Sequence, residues 1–219
     1  MNKKIYILGA GNMAREAYYI YKDLGLSDNI AGFIIEDKYL SAKRKLLLDR
    51  PVLSAAKLQP DKNMLVMAAI GSPKRRKLIQ KLERKKIQFD TLVHPSVSVW
   101  ESVKISAGCL ISKGVVLTCD ITIGKHTIIN INSNINHDCV LGDFVTIGPG
   151  THIGGNVIID EGSWIGIGTT IIHNRRIGKK CFIAAGSIVI NDIPDGFLAM
   201  GLPAKPIRKM TDSDWDRLI

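Results

Sequence analysis

The sequence predicts a small α/β unit followed by a long coil of short parallel strands, that is, a β-helix. Three observations lead to this fold class. A strand, a glycine turn and a helix follow one another near the N-terminus, an aliphatic residue recurs at every sixth position from Val99 to Val189, and a second column of mostly small residues accompanies it. We therefore expect a Rossmann-like nucleotide-sugar-binding domain at residues 1–94, the β-helix at 95–191 and a C-terminal tail at 192–219.

The N-terminal unit begins with a short apolar strand, Lys4 to Leu8, and a G-x-G-x-x-A turn at residues 9–14. A helix to about Leu24, a strand at 30–35 and an apolar run at 64–70 follow. This order is typical of half of a Rossmann fold, in which a helix N-terminus holds a phosphate. Because the unit is too short for a complete dinucleotide-binding fold, we favour a nucleotide-sugar over NAD as its ligand.

The coil is predicted by two columns of residues. The aliphatic column consists of Val99, Ile105, Ile111, Leu117, Ile123, Ile129, Ile135, Leu141, Ile147, Ile153, Ile159, Ile165, Ile171, Ile177, Ile183 and Val189. The second column, four residues after each of these, is small or β-branched except at Arg175, and it contains Cys109, Cys139 and Cys181. Three hexads make one turn, so residues 18 apart stack at about 4.8 Å. A sandwich of short strands would not keep this period over such a length.

Composition limits the possible functions. The formal net charge is +10, and residues 74–77 and 84–86 form basic runs that suit a polyanionic ligand or simply a solvated helix face. Apolar runs such as 64–70 are too short to span a membrane, and no signal peptide is recognisable, so we expect a cytoplasmic protein. The cysteines have no metal-ligand spacing, and no metal is expected.

The chain resembles a branch of the hexapeptide acyltransferases over nearly its whole length. The residues that carry the resemblance, besides the repeat, are the Gly9-Ala10-Gly11 turn, Asn136-His137-Asp138-Cys139, and Gly201-Leu202-Pro203-Ala204-Lys205. This branch contains the sialic acid O-acetyltransferases and the nucleotide-sugar N-acetyltransferases of bacterial glycan biosynthesis. The resemblance implies a left-handed coil, acetyl-CoA as co-substrate, and a homotrimer that binds it between subunits.

His137 is the predicted catalytic base. Acetyl transfer needs a group with a near-neutral pKa to take the proton of the acceptor. His137 lies two residues after the inward-facing Ile135, hence near a corner of the coil, and Gly155 one turn above is expected to leave open space. The resemblance places the family's base at His137 and an acidic neighbour that modulates it at Asp138. The other histidines, at 94, 126, 152 and 173, are expected to be structural or surface residues.

Binding residues are predicted on both parts of the chain. Residues of the coil with little or no side chain stack at Gly148, Gly166 and Ala184 and again at Gly150, Gly168 and Gly186, where a pantetheine arm would fit, although such glycines also serve turns with positive φ. By resemblance, the acetyl-CoA contacts are Thr146, Ile167 and Ala185. The resemblance points to Gly11, Asn12, Met13, Glu36, Asp37 and Gly71 for the acceptor. Family members usually carry a histidine where this chain has Met13.

The favoured function is acetylation of the amine of a nucleotide-linked amino-sugar, and O-acetylation of a sialic acid-type sugar is the alternative. Other classes are a non-catalytic nucleotide-binding β-helix protein, a nucleotide-binding oxidoreductase or sensor, and a trimeric zinc carbonic anhydrase. The last is disfavoured because His137 and His173 are expected two turns apart, about 10 Å, too far to share one zinc ion.

Overall fold

The computed structural model describes residues 3–40 and 45–217. The chain divides into two compact units, Met1–His94 and Pro95–Ile219. The outermost residues of the predicted first domain and of the predicted tail lie outside the described residues. No helix in the described part of the chain is long and apolar enough to cross a membrane.

The first unit is an α/β layer. Its strands and helices are β1 (Lys4–Leu8), α1 (Asn12–Asp23), β2 (Ile30–Ile35), β3 (Leu46–Leu47), β4 (Arg50–Ser54), β5 (Met64–Ala68), α2 (Arg75–Arg84) and β6 (Leu92–Val93), with short 3₁₀ turns at Ser27–Asn29, Asp37–Tyr39 and Ala55–Lys57. The sheet order is β3-β4-β2-β1-β5, in which β1, β2, β4 and β5 are parallel and β3 is an antiparallel edge. β1 and β2 begin and end where the sequence predicted. The apolar run at 64–70 forms a strand that ends at Ala68.

The turn between β1 and α1 needs its first glycine. Gly9 has φ 122°, and a Cβ there would lie 2.7 Å from the carbonyl oxygen of Ala69. Behind this turn α1 buries one face, including Ala17 and Tyr21, against the sheet. The Tyr21 hydroxyl donates to the Asp90 carboxylate at 2.7 Å, and burial raises the pKa of Tyr21 far above its usual value.

The second unit is the predicted parallel β-helix. Its two-residue strands are β7 (Lys104–Ile105), β8 (Leu110–Ile111), β9 (Val116–Leu117), β10 (Thr122–Ile123), β11 (Ile128–Ile129), β12 (Asn134–Ile135), β13 (Val140–Leu141), β14 (Thr146–Ile147), β15 (His152–Ile153), β16 (Ile158–Ile159), β17 (Trp164–Ile165), β18 (Thr170–Ile171), β19 (Arg176–Ile177), β20 (Phe182–Ile183) and β21 (Ile188–Val189). Every third strand pairs in parallel, as where Ile135 lies opposite Ile153. We number the faces by their first strands: face 1 starts at β7, face 2 at β8 and face 3 at β9.

The aliphatic column fills the interior, since Ile129, Ile147 and Ile165 have no exposed surface. Residues of the second column also donate hydrogen bonds from their hydroxyl and thiol groups to backbone carbonyls. Thr127 Oγ1, for example, donates to the Gly142 carbonyl oxygen at 2.8 Å, and Cys139 Sγ donates to that of Gly154 at 3.1 Å. The predicted burial of Cys109, Cys139 and Cys181 is confirmed. Arg175 turns out of this column towards Asp192, at 3.8 Å.

The segment after the coil extends a sheet instead of trailing as a simple tail. β22 (Phe197–Gly201) pairs in parallel with β20, and β23 (Ala204–Lys209) pairs antiparallel with β22. A short helix, α3 (Asp214–Arg217), follows. Arg208 holds the Asp214 carboxylate through two bonds of 2.7 Å, and this contact, with the N–H and hydroxyl of Thr211, holds the pKa of Asp214 well below its usual range.

Candidate active site

His137 lies at the corner between β12 and β13, where face 3 turns into face 1. Asp138 takes φ 60°, in the left-handed region that a sharp corner requires. The Asn136 side chain donates to the carbonyl oxygen of Ile153 at 2.8 Å and fixes the corner to the next turn of the coil. The His137 side chain is 56% exposed, so the corner presents a rigidly mounted imidazole to solvent.

Asp138 sets the chemistry of the His137 ring. Its Oδ2 lies 2.8 Å from His137 Nδ1. An ionised carboxylate only accepts hydrogen bonds, so Nδ1 carries the proton of the neutral ring and Nε2 keeps a free lone pair. In this tautomer Nε2 could accept a proton, and the carboxylate at Nδ1 would stabilise the positive charge that results.

The expectation of open space beneath Gly155 is wrong. A Cβ added to Gly155 would lie 2.5 Å from Cε1 and 2.6 Å from Nε2 of His137, so the imidazole itself fills that space. The error arises because the repeat gives the position of a residue on the coil but not the direction of its ring. Cys119 lies one turn below, where its carbonyl accepts from the Asp138 N–H, and burial and then Asp120 raise the pKa of its thiol.

The other histidines have different surroundings. His94 is buried with Nε2 3.1 Å from Asp23 Oδ2, and His126 is buried and stacked on Phe144 with ring centroids 5.0 Å apart. His152 is exposed on face 3, with Nδ1 2.7 Å from Asn134 Nδ2. His173 is exposed at the corner above Gly155 and has no carboxylate bonded to its ring in the described chain.

The predicted cofactor residues lie at another corner, where face 2 turns into face 3. Ile167 is 61% exposed there, and Ala185 is exposed one turn above it. Thr146 is instead buried on face 2, in β14. A single chain therefore brings Ile167 and Ala185 together but leaves them at a different corner from His137.

The glycines of this corner have structural reasons. Gly150, Gly168 and Gly186 have φ of 63°, 65° and 68°, and a Cβ there would meet nothing within 4 Å. A Cβ on Gly166 would lie 2.5 Å from the amide nitrogen of Ala185. The structural interpretation of the glycines is therefore correct, and it also leaves an uncovered backbone strip beside Ile167.

Five of the six predicted acceptor residues line one cavity of about 350 Å³ in the first unit. They are Gly11, Asn12, Met13, Glu36 and Gly71. The cavity lies at the carboxyl ends of β1, β2 and β5, the usual ligand position on a parallel sheet. Asp37 lies outside it, and its carboxylate accepts a hydrogen bond from the Ser54 hydroxyl.

Among the residues of this cavity that sequence reasoning did not select are Tyr39 and Leu78. Tyr39 lies in a 3₁₀ turn and Leu78 on α2, and no periodicity links them to the glycine turn. Met13, where the family usually has histidine, contributes an apolar tip 3.5 Å from the position of a Gly71 Cβ. The cavity lining therefore includes apolar and aromatic side chains, with Glu36 as a carboxylate.

Two family descriptions match the chain. Residues 4–82 match the PglD N-terminal domain, and residues 120–155 match the bacterial transferase hexapeptide (six repeats). The chain therefore combines a region similar to the PglD N-terminal domain with a hexapeptide-repeat region similar to that of bacterial transferases. The predicted family and enzyme class are thereby confirmed. A comparison with curated protein sequences found no match.

Three solved structures resemble this hexapeptide-repeat transferase along both units. PerB from Caulobacter crescentus, in complex with CoA and GDP-perosamine, is 28% identical with a TM-score of 0.82, covering 94% of this chain and 97% of the other. The acetyltransferase domain of PglB from Neisseria gonorrhoeae, in complex with acetyl coenzyme A, is 27% identical with a TM-score of 0.84, covering 94% and 100%. WeeI from Acinetobacter baumannii is 28% identical with a TM-score of 0.84, covering 94% and 100%.

Proposed function

We propose that this transferase moves the acetyl group of acetyl-CoA to the amine of a nucleotide-linked amino-sugar, with His137 as the general base. The observation that carries the proposal is the His137–Asp138 pair, 2.8 Å apart on an exposed corner with Nε2 directed away from its carboxylate partner. The similar PerB binds CoA and GDP-perosamine, a nucleotide-linked amino-sugar, which favours the amine over a sialic acid hydroxyl as acceptor.

The proposed reaction is a direct transfer. The acceptor nitrogen forms a bond to the thioester carbonyl carbon, and His137 Nε2 takes the proton that this nitrogen loses. The C–S bond then breaks, and the His137 imidazolium gives this proton to the sulfur of the leaving CoA. Asp138 stabilises the imidazolium between these steps without being protonated itself.

We infer that a homotrimer completes the site. The exposed Ile167 and Ala185 lie at a different corner of the coil from His137. A cofactor bound along them would therefore be better placed to reach His137 of a neighbouring subunit than His137 of the same chain. Thr146, Ile167 and Ala185 are the residues we assign to acetyl-CoA. Because Thr146 is buried in β14, it would support the cofactor site through the packing of face 2 and not by direct contact of its side chain.

We assign the nucleotide part of the acceptor to the 350 Å³ cavity lined by Gly11, Asn12, Met13, Glu36 and Gly71. α2 contributes Leu78 to this cavity and is strongly basic, which would suit a diphosphate, but Arg75 at its start is buried. We leave Asp37 out of this site because it does not line the cavity. As a consumer of acetyl-CoA and a nucleotide-sugar, the enzyme would work in the cytoplasm.

A thiol-release screen tests the proposal. Acetyl-CoA is offered with UDP-, GDP- and dTDP-linked amino-sugars and with CMP-sialic acid. Release with an amino-sugar is expected; release only with CMP-sialic acid would indicate O-acetylation, and a lack of release with every acceptor, in a correctly folded protein, would refute the transferase assignment for these substrates.

His137→Ala should lower kcat by about 10²- to 10⁴-fold, the usual contribution of a positioned base. Acetyl-CoA binding should persist, and the residual rate should rise with pH as the free amine loses its proton without help. Asp138→Asn should have a smaller effect. His173→Ala is the matched control at the same corner; if it abolishes turnover while His137→Ala is active, the base is misassigned.

A further inference from the structure

The imidazole of His137 is held between a carboxylate on one side and a glycine on the other. Asp138 binds Nδ1 on the ring's own turn, and Gly155 lies against the ring from the turn above. The three atoms nearest to a Gly155 Cβ all belong to this ring, at 2.5 to 3.0 Å. Real Cβ atoms do not approach other atoms this closely, so any side chain at position 155 would displace the ring.

The backbone conformation of Gly155 does not require glycine. Its φ does not lie in the left-handed region, unlike that of Gly150 or Gly168. Its neighbour Gly154 is also different, because a Cβ there would meet the backbone of His173, with the amide nitrogen at 2.6 Å. Gly154 therefore allows two turns of the coil to stack, whereas the closest constraint on Gly155 comes from a side chain.

A second histidine shows what a full enclosure looks like. The ring of His126 lies against Gly108 on one turn and stacks on Phe144 on the next, and the residue is 2% exposed. His137 has the glycine contact but no aromatic ring stacked on it among the described residues, and its side chain stays 56% exposed. The glycine contact therefore orients this ring while leaving it accessible.

We propose that Gly155 is a positioning residue, which fixes the plane of the His137 ring so that Nδ1 keeps its bond to Asp138 and Nε2 points outward. This inference rests on the proposed role of His137 as the base. In Gly155→Ala the methyl group would push the ring away and weaken the Nδ1–Asp138 bond. Misplacement of a reacting group by about 1 Å can cost up to about 10²-fold in rate.

The test combines single and double variants: Gly155→Ala, His137→Ala and both together. Gly155→Ala is expected to lower kcat by about 10- to 100-fold with little change in KM for acetyl-CoA. In the His137→Ala background it should cause no further loss of rate and no loss of Tm, because the ring that crowds the methyl group is gone. Gly154→Ala is the matched control, since it crowds backbone and should lower Tm equally with and without His137.

A crystal structure of Gly155→Ala should show His137 Nδ1 separated from Asp138 Oδ2. An unchanged ring, or a loss of rate and Tm that is the same in both backgrounds, would overturn the positioning role. If the ring moves and the double-variant cycle of Tm values shows coupling while His137→Ala retains full turnover, the positioning role stands and the assignment of the base fails.

Discussion

The difference between His137 and His126 shows how surroundings, rather than residue type, determine the role of a histidine. Both rings contact a glycine on a neighbouring turn. His126 is covered by Phe144 and packs as part of the interior, whereas His137 faces solvent beside a carboxylate. Of these two rings, only that of His137 is exposed to solvent, as the proposed general base has to be.

Gly11 offers a residue-scale test of the acceptor cavity. A Cβ at Gly11 would meet nothing within 4 Å, so Gly11→Val should fold and place its side chain in the cavity. We expect steady-state kinetics to show a steep rise in acceptor KM with little change in that of acetyl-CoA.

Gly9→Ala supplies the contrast, because its Cβ would strike the Ala69 carbonyl at a φ of 122° and should destabilise the unit itself. Equal losses for both substrates in Gly11→Val would count against the cavity as the acceptor site.

At the scale of the element, the coil is held by side-chain hydrogen bonds along its interior as well as by its aliphatic column. Ser163 occupies the small column with 1% exposure. Its hydroxyl donates to the Gly178 carbonyl at 2.6 Å and accepts from the Cys181 N–H at 3.0 Å. A small residue in this column can thus join two turns where a larger apolar one would only fill space.

Ser163→Ala should lower the free energy of unfolding by about 1 to 3 kcal/mol, because it leaves buried backbone groups without their partner. Denaturant unfolding measures the change. Ser163→Thr keeps the hydroxyl and is the matched control, since Thr127, Thr151 and Thr169 already occupy the column. Equal stability of Ser163→Ala and the parent would show that this bond contributes nothing.

The C-terminal hairpin carries a pH-dependent contact. Because Arg208 and Thr211 lower the pKa of Asp214, the ionised carboxylate stabilises the fold above its unfolded pKa of about 3.9. That stabilisation is lost as the pH falls through the lower folded value. Asp214→Asn should therefore lower Tm at pH 7 and lessen the fall in Tm on acidification below pH 4, measured by thermal unfolding at each pH. Parallel Tm curves for parent and variant would contradict this.

The sequence predicted the features that follow from the six-residue repeat. It missed those that depend on the orientation of a side chain or on contacts between residues far apart in the chain. The six-residue repeat gave the coil strands, since each inward position has to be aliphatic. The hairpin of β22 and β23 was missed because it leaves the six-residue period. Tyr39 and Leu78 were missed because only folding brings a 3₁₀ turn and a helix face to the same cavity, and the contact of Gly155 with His137 needed the orientation of a ring.

At the scale of the whole molecule, the proposed site requires more than one chain. Light scattering should give about three times the 24.1 kDa mass of the monomer. Ile167→Glu should weaken acetyl-CoA binding, because it places a carboxylate beside the anionic cofactor on the exposed corner. A stable monomer with full activity would exclude a site shared between subunits.

The pairing of each turn with the next also determines how the coil can come apart. Partners such as Thr122 and Val140, or Ile147 and Ile165, are 18 residues apart in sequence. Contacts of this short range let folding start at one turn and propagate along the coil without closing long loops. Pulled from its two ends, the coil should unfold one turn at a time, because each turn is held by the hydrogen bonds and aliphatic contacts that it makes with the next turn.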